Sequence, residues 1–106
     1  MAVHRALGPG FLEKIYENAL AIELRKQGLC VEQQKPLIVR YDGNVVGEYQ
    51  ADMIVDHHIL LELKAIERIA DVHCAQLKHY LRATGLPVGL LINFGAPSLD
   101  WKRKDN

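Results

Sequence analysis

The stretch Ala51-Asp52-Met53-Ile54-Val55-Asp56-His57-His58-Ile59-Leu60-Leu61-Glu62-Leu63-Lys64 reads as two strands joined by a tight turn. Three ionisable residues, Asp52, Glu62 and Lys64, interrupt runs that are otherwise apolar. A strand alternates its faces, so Glu62 and Lys64 point one way and Leu61 and Leu63 the other. Leu and Ile on both faces predict a strand in the middle of a covered sheet. An acid and an amine there are costly to desolvate unless they are paired or bind something. The turn decides where Asp52 stands. A loop of Asp56-His57-His58 centres the pairing on His57 and sets Asp52 opposite Glu62, on a shared face. A two-residue loop at His57-His58 would set Asp52 against Leu63 and on the other face.

Outward from this hairpin the elements follow in order. Met1 to Leu7 carries a weak apolar stripe, and Gly8-Pro9-Gly10 breaks the chain. Phe11 to Gln27 is the clearest helix, with Phe11, Leu12, Ile15, Tyr16, Ala19, Leu20, Ile22 and Leu24 at helical spacing. Lys14, Glu17, Asn18, Arg25 and Lys26 fill its polar side, and Gly28 ends it. Cys30 to Tyr41 is a long strand, and Pro36 assigns it to an edge or a bulge. Asp42-Gly43-Asn44 is a hairpin turn, followed by a second strand from Val45 to Val55 and a third from Ile59 to Lys64. Asp71 is an N-cap for a helix from Val72 to Thr84, closed by Gly85, with Val72, Ala75, Leu77, Tyr80, Leu81 and Thr84 on its buried side. Pro87 to Phe94 is a buried strand, parallel to a neighbour. Leu99 and Trp101 dock on the core, and residues 102–106 read as a flexible tail. The order α-β-β-β-α-β predicts an α/β fold with a mixed sheet flanked by helices.

Composition sets the class. The chain has 106 residues, 49% hydrophobic and 25% charged, with a formal net charge of zero. That fits one soluble domain, residues 1–106, with a small core. Neutrality argues against tight sequence-independent DNA binding by a monomer, though not against a local basic patch. Cys30 and Cys74 lack metal-site spacing and are expected to be reduced, in a cytoplasmic protein. The five histidines make no zinc pattern. No apolar stretch is long enough for a membrane span, and the first residues do not make a secretory signal.

Two patterns then meet. Asp52, with Glu62-Leu63-Lys64 on the next strand, resembles the metal-site signature of the PD-(D/E)XK nuclease superfamily. Gly10-Phe11-Leu12-Glu13-Lys14-Ile15-Tyr16 spells the GxxExxY motif of a small bacterial family within it, and Val3 to Glu13 is similar to that family as well. The resemblance runs over nearly the whole chain. It implies a restriction-endonuclease-like core with a magnesium-dependent nuclease site. Two features depart from it: Met1 to Leu7 is the remnant of a helix that is longer in family members, and Ala51 stands where the signature has proline.

Phosphodiester cleavage needs a positioned divalent ion, a nucleophilic water and charge relief at phosphorus. Mg²⁺ (or Mn²⁺) takes hard oxygen ligands, and Asp52 and Glu62 on adjacent strands offer two carboxylates. The resemblance implies the Leu63 backbone carbonyl as a third ligand. Lys64, on the face of Glu62, would orient the water and counter developing charge. The plain alternative is a structural carboxylate–lysine cluster at a solvated sheet end. In related folds an acid on the first helix points at the metal; here that is Glu13, whose alternative role is to favour the positive helix end. Tyr16 lies close to the same face, either in the site or as a packed aromatic whose hydroxyl holds Glu13 or another site carboxylate. Gln76 and Tyr80 share a helix face. Gln76 is similar to an accessory position that contacts the lysine, a metal-bound water or a phosphate; otherwise it bonds to a loop. Glu48 and Gln50 line the solvated edge. His57, His58, His73 and His79 read as surface groups, and Lys78, Arg82, Lys102, Arg103 and Lys104 as solubilising charge. The expected partner is DNA or RNA, with no membrane and a homodimer to supply further surface. The rival expectation is a catalytically silent nucleic-acid-binding or protein-interaction module that retains the fold.

Overall fold

The computed structural model describes residues 2–106; Met1, read above as the start of the first helix, lies outside the described residues. The elements are α1 (Ala2–Leu7), α2 (Glu13–Lys26), β1 (Val31–Tyr41), β2 (Asn44–Val55), β3 (Ile59–Lys64), α3 (Asp71–Thr84), β4 (Val88–Asn93) and β5 (Asp100–Asp105). The strands form one sheet in the order β1-β2-β3-β4-β5. Only β3 and β4 are parallel among these pairs. A parallel pair needs a long crossover, and α3 supplies it. The predicted mixed sheet flanked by helices is present, with one strand more than expected. Residues 102–105 are not a flexible tail: β5 pairs with all of β4, from Val88↔Asp105 to Asn93↔Asp100. A charged edge strand carries no apolar alternation to betray it, because its free edge faces water.

The helices lie on opposite faces. On one, Val3, Tyr16, Leu20 and Ala21 pack against Met53, Val55, Leu61, Leu63, Ile92 and Phe94. On the other, Leu77 and Leu81 of α3 cover Ala51, Ile54, Leu60 and Leu91. Burying each such leucine contributes about 2 kcal/mol. Helix α3 sits low over the sheet because β4 has Gly89 beneath it; a Cβ there would meet the Leu77 side chain at 2.8 Å.

Several local expectations are corrected. Helix α2 starts at Glu13 with Leu12 as its N-cap, and Phe11, Leu12, Ile15 and Ile22 are exposed. The N-cap of α3 is Ala70, with Asp71 already helical, and Val72 faces solvent. Helix α2 buries Glu17 instead, at 3% exposure. Trp101 does not dock on the core: it is 56% exposed at the rim of an apolar groove, while Leu99 packs against the core. The β1 edge position predicted from Pro36 is present.

The β1–β2 ribbon turns at Asp42-Gly43, both left-handed at φ 51° and 76°, as a two-residue hairpin favours. Between Val39↔Gly47 and Arg40↔Val45 one extra residue, Val46, makes a bulge. Nearer the core, Gln33 pairs with Met53 and Lys35 with Ala51, which leaves Gln34 facing Asp52. Both strands turn over at this point. On β2, Met53 lies on the α2 side but Ala51 and Ile54 both lie on the α3 side, which a regular strand forbids. On β1, Val31 packs on the α2 side and Leu37 on the α3 side, although both are odd-numbered. The reason is Gln34, held at φ 50°. A left-handed non-glycine residue costs about 1–2 kcal/mol, so other contacts must hold it.

Candidate active site

The β2–β3 turn is the odd loop Asp56-His57-His58, and the ladder Met53↔Leu61, Ile54↔Leu60, Val55↔Ile59 centres on His57. Counting on, Asp52 falls opposite Glu62, yet the ladder ends at Met53↔Leu61. Beyond that pair, side chains take over the hydrogen bonding. The Leu63 N–H donates to Asp52 Oδ2 at 2.9 Å, and the Asp52 N–H stabilises the Glu62 carboxylate in return. Asp52 is thus tied to the backbone of β3, and the Glu62 carboxylate lies beside the Asp52 amide.

The expected sharing of one face is corrected by the inversion of β2. Asp52 opens towards α2, into a cavity of about 170 Å³ lined with Glu13, Lys14, Glu17, Gln34 and Leu63. Glu62 lies on the α3 side, where its Oε1 accepts the hydroxyl of Tyr49. Asp52 and Glu62 stand on either side of the opened ladder rather than side by side. Lys64 lies near enough to both to favour their charged forms, without an ion pair to either among the described residues.

Burial dominates the electrostatics. It pushes the Glu62 carboxyl up to about 7, against the pull of Lys64 and the Asp52 amide, and Glu13 adds a smaller push upward. Burial also raises Asp52, with Glu17 reinforcing it, while the Leu63 amide, Lys64 and Gln34 oppose the rise. Two carboxyls held above their ordinary range gain most from a nearby cation, which removes the cost of their charge.

The remaining candidates divide. Glu13 begins α2 and lines the Asp52 cavity. Tyr16 is fully buried and does not hold a carboxylate. Its hydroxyl donates to the Gly8 carbonyl at 2.5 Å and accepts the Phe11 N–H at 3.1 Å, while its ring stacks on Phe94 at 4.6 Å. The tyrosine therefore staples the Gly8-Pro9-Gly10 break to the core. Gln76 donates to the Tyr80 hydroxyl at 3.0 Å rather than to Lys64. Tyr80 stacks on Tyr49 at 3.7 Å, so both reach Glu62 only through Tyr49. His57 is exposed, within 3.7 Å of Cys30 Sγ and 3.3 Å of Glu32.

Sequence reasoning missed Glu17, Gln34, Tyr49 and Asn93. Glu17 accepts from Lys14 Nζ at 3.1 Å, Gln33 Nε2 at 2.7 Å and Gln34 Nε2 at 2.5 Å. Its spacing of four from Glu13, one turn on, was the available signal. Asn93, fully buried, accepts the Ile66 and Gly95 amides and donates to the Ile66 carbonyl, fixing the chain just beyond Lys64.

The family model of the PD-(D/E)XK nuclease superfamily matches residues 1–104. The chain belongs to that superfamily. Its five-strand mixed sheet with flanking helices is compatible with the restriction-endonuclease-like fold of PD-(D/E)XK proteins. The crystal structure of SSO0001 has the same fold, with a TM-score of 0.66 at 19% identity over 89% of this chain. The chain spans 50% of that structure's length. No curated protein matches the chain. PD-(D/E)XK nucleases typically use divalent metals, and the donors here suit one. Asp52, Glu62 and the Leu63 carbonyl are hard oxygens, the ligand type Mg²⁺ takes, with the two carboxylates opening to opposite faces of the parted ladder rather than converging on one point. Among the described residues no group of three or more His, Cys, Asp or Glu side chains is placed to hold a metal. Two carboxylates with a carbonyl match an ion that completes its shell from water and substrate.

Proposed function

We propose that the protein is a Mg²⁺-dependent nuclease (Mn²⁺ substituting) that hydrolyses phosphodiesters in DNA or RNA. The reading is carried by one observation: the Asp52 and Glu62 carboxyls, both raised by burial, are tied across the point where the β2–β3 ladder opens, and Lys64 acts on both. In this reading Asp52, Glu62 and the Leu63 carbonyl hold the ion, with Glu13 facing it from the rim of the Asp52 cavity. A bound divalent cation would supply Lewis-acid neutralisation of the phosphate. Glu62 gives up its proton to become a ligand, so binding strengthens as pH rises through about 7. Lys64 orients the attacking water and balances the negative charge that grows at phosphorus. Gln76, Tyr80 and Tyr49 set the position of Glu62 from behind. The segment Gly10 to Tyr16 supports assignment to the bacterial GxxExxY branch, and the unpaired Cys30 and Cys74 support a cytoplasmic location.

A silent binding module is the second reading, favoured by the hydroxyl of Tyr49 on Glu62, which occupies an oxygen that a ligand would use. The exposed apolar residues Ile38, Tyr41, Val45 and Val46 at the ribbon end support a homodimer in either case, measurable by sedimentation. The deciding experiment incubates wild type and Lys64→Ala with labelled DNA and RNA in Mg²⁺ or Mn²⁺. The nuclease reading expects cleavage that falls by about a hundredfold or more in the variant. Equal cleavage by the two proteins, or none by either, rejects it.

A further inference from the structure

We infer that Glu17 is a positioning residue: acting through Gln34, it sets the face of the sheet on which Asp52 presents its carboxylate. The geometric part stands on the fold alone; its consequence for a cation rests on the reading of Asp52 given above.

Glu17 is an acid on a helix face that should carry apolar residues, and it is 3% exposed. A leucine would fill such a place with less desolvation cost, so the carboxylate is there for what it bonds. It gathers two consecutive strand residues. Gln33 Nε2 reaches Oε2 at 2.7 Å and Gln34 Nε2 reaches Oε1 at 2.5 Å. Neighbours on a regular strand point to opposite faces, so both can reach one carboxylate only if the strand turns over between them. The left-handed φ of Gln34 is that turn.

Gln34 faces Asp52 across the β1–β2 pair, and β2 turns over at the same place. The Gln34 side chain lies near enough to Asp52 to favour its charged form, and both line the same cavity. Glu17, Gln34 and Asp52 line one cavity with Leu63, whose N–H holds Asp52 Oδ2. The line of contact is therefore Glu17, Gln34, Asp52, Leu63. Without the bridge Gln34 keeps only the long Gln50 Nε2 bond to its carbonyl, at 3.3 Å, against the cost of the left-handed conformation, and Asp52 reverts to the regular alternation of β2.

The test uses Gln34→Ala and Glu17→Gln in the full chain. Alanine removes the side-chain bridge and leaves the cost of the left-handed conformation in place, so Gln34→Ala asks whether the bridge is what offsets that cost. The first readout is hydrogen exchange of the Leu63 amide in metal-free protein, which reports the bond to Asp52 directly. Its protection is expected to fall about tenfold or more in both variants, while α3 amides such as Leu81 keep theirs. The second is Mn²⁺ calorimetry, where the Kd is expected to rise about ten- to a hundredfold. Wild-type protection of Leu63 in Gln34→Ala overturns the inference, whatever the metal data show. If Glu17→Gln does not fold, Gln34→Ala alone decides. Loss of Leu63 protection in a protein whose wild type binds no Mn²⁺ upholds the positioning of Asp52 and rejects the metal-site reading instead.

Discussion

At the scale of single residues, Glu62 concentrates the conflict in the site. Its carboxyl is buried on the α3 side, accepts the hydroxyl of Tyr49, and is pushed up to about 7. An unfolded glutamate titrates near 4.5, so the folded chain holds the proton more tightly than the unfolded one. Stability from this group is full below the unfolded value and is lost as pH rises through about 7. Glu62→Gln removes the charge and keeps an acceptor for Tyr49. It is expected to raise unfolding free energy by about 1–3 kcal/mol at roughly pH 8 and by little at about pH 4. Urea unfolding at both pH values measures this; a gain of the same size at both would contradict the protonation account. That Glu62 and Lys64 are out of place in an apolar strand was legible in the sequence. That Tyr49 and Tyr80 stack behind Glu62 was not, because they come from β2 and α3, thirty-one residues apart in the chain, and meet only on the α3 side of the folded sheet.

At the scale of elements, the end of the sheet that carries Lys64 is locked by close backbone contacts. Asn93 ties the end of β4 to Ile66, Asp100 Oδ2 takes the Ile69 N–H at 3.1 Å, and Gly95 lies against the chain leaving β3. A Cβ on Gly95 would stand 2.3 Å from the Ile66 carbonyl oxygen and 2.4 Å from its nitrogen. Backbone cannot move aside as a side chain can, so Gly95→Ala is expected to cost about 3 kcal/mol. A shift of the urea midpoint checks it, and a shift near zero would show that the β3–α3 connection yields. The helices, the Asp42-Gly43 turn and the Gly85 cap were readable because each is a local signal. The α3 N-cap and the true buried face of α2 were not: Ala70 and Leu12 have no capping side chain to mark the helix starts, and at α3 it is His73 Nδ1 that accepts the Ala70 N–H at 2.9 Å.

At the scale of the whole molecule, β5 is the element on which the chain's closure depends. It covers the edge of β4, whose Val88-Gly89-Leu90-Leu91-Ile92-Asn93 run is apolar. It also ties down α3: Asn106 Nδ2 donates to the carbonyls of Leu81 and Leu86 at 2.7 and 2.9 Å, and Lys78 Nζ to that of Asp105 at 2.9 Å. The outer cations Lys102, Arg103 and Lys104 keep the new edge from pairing further. Removing residues 100–106 is expected to expose an aggregation-prone edge and to widen the apolar groove of about 420 Å³ beside Trp101. Light scattering on the truncated chain tests this; a stable, monodisperse product would show that β5 is dispensable.

The sequence by itself determined the element order from α2 to β4, the parallel β3–α3–β4 unit and the superfamily signature in Asp52, Glu62 and Lys64, while β5 and the length of the β2–β3 turn waited on the structure. These rest on periodicity and turn chemistry, which act over a few residues. Which face Asp52 presents was decided only by the tertiary structure. The face depends on a left-handed Gln34 in another strand, held by a carboxylate buried under a helix. Strand alternation has a period of two, so a single inversion reverses every later side chain, and no local pattern in β2 records that its neighbour has turned over.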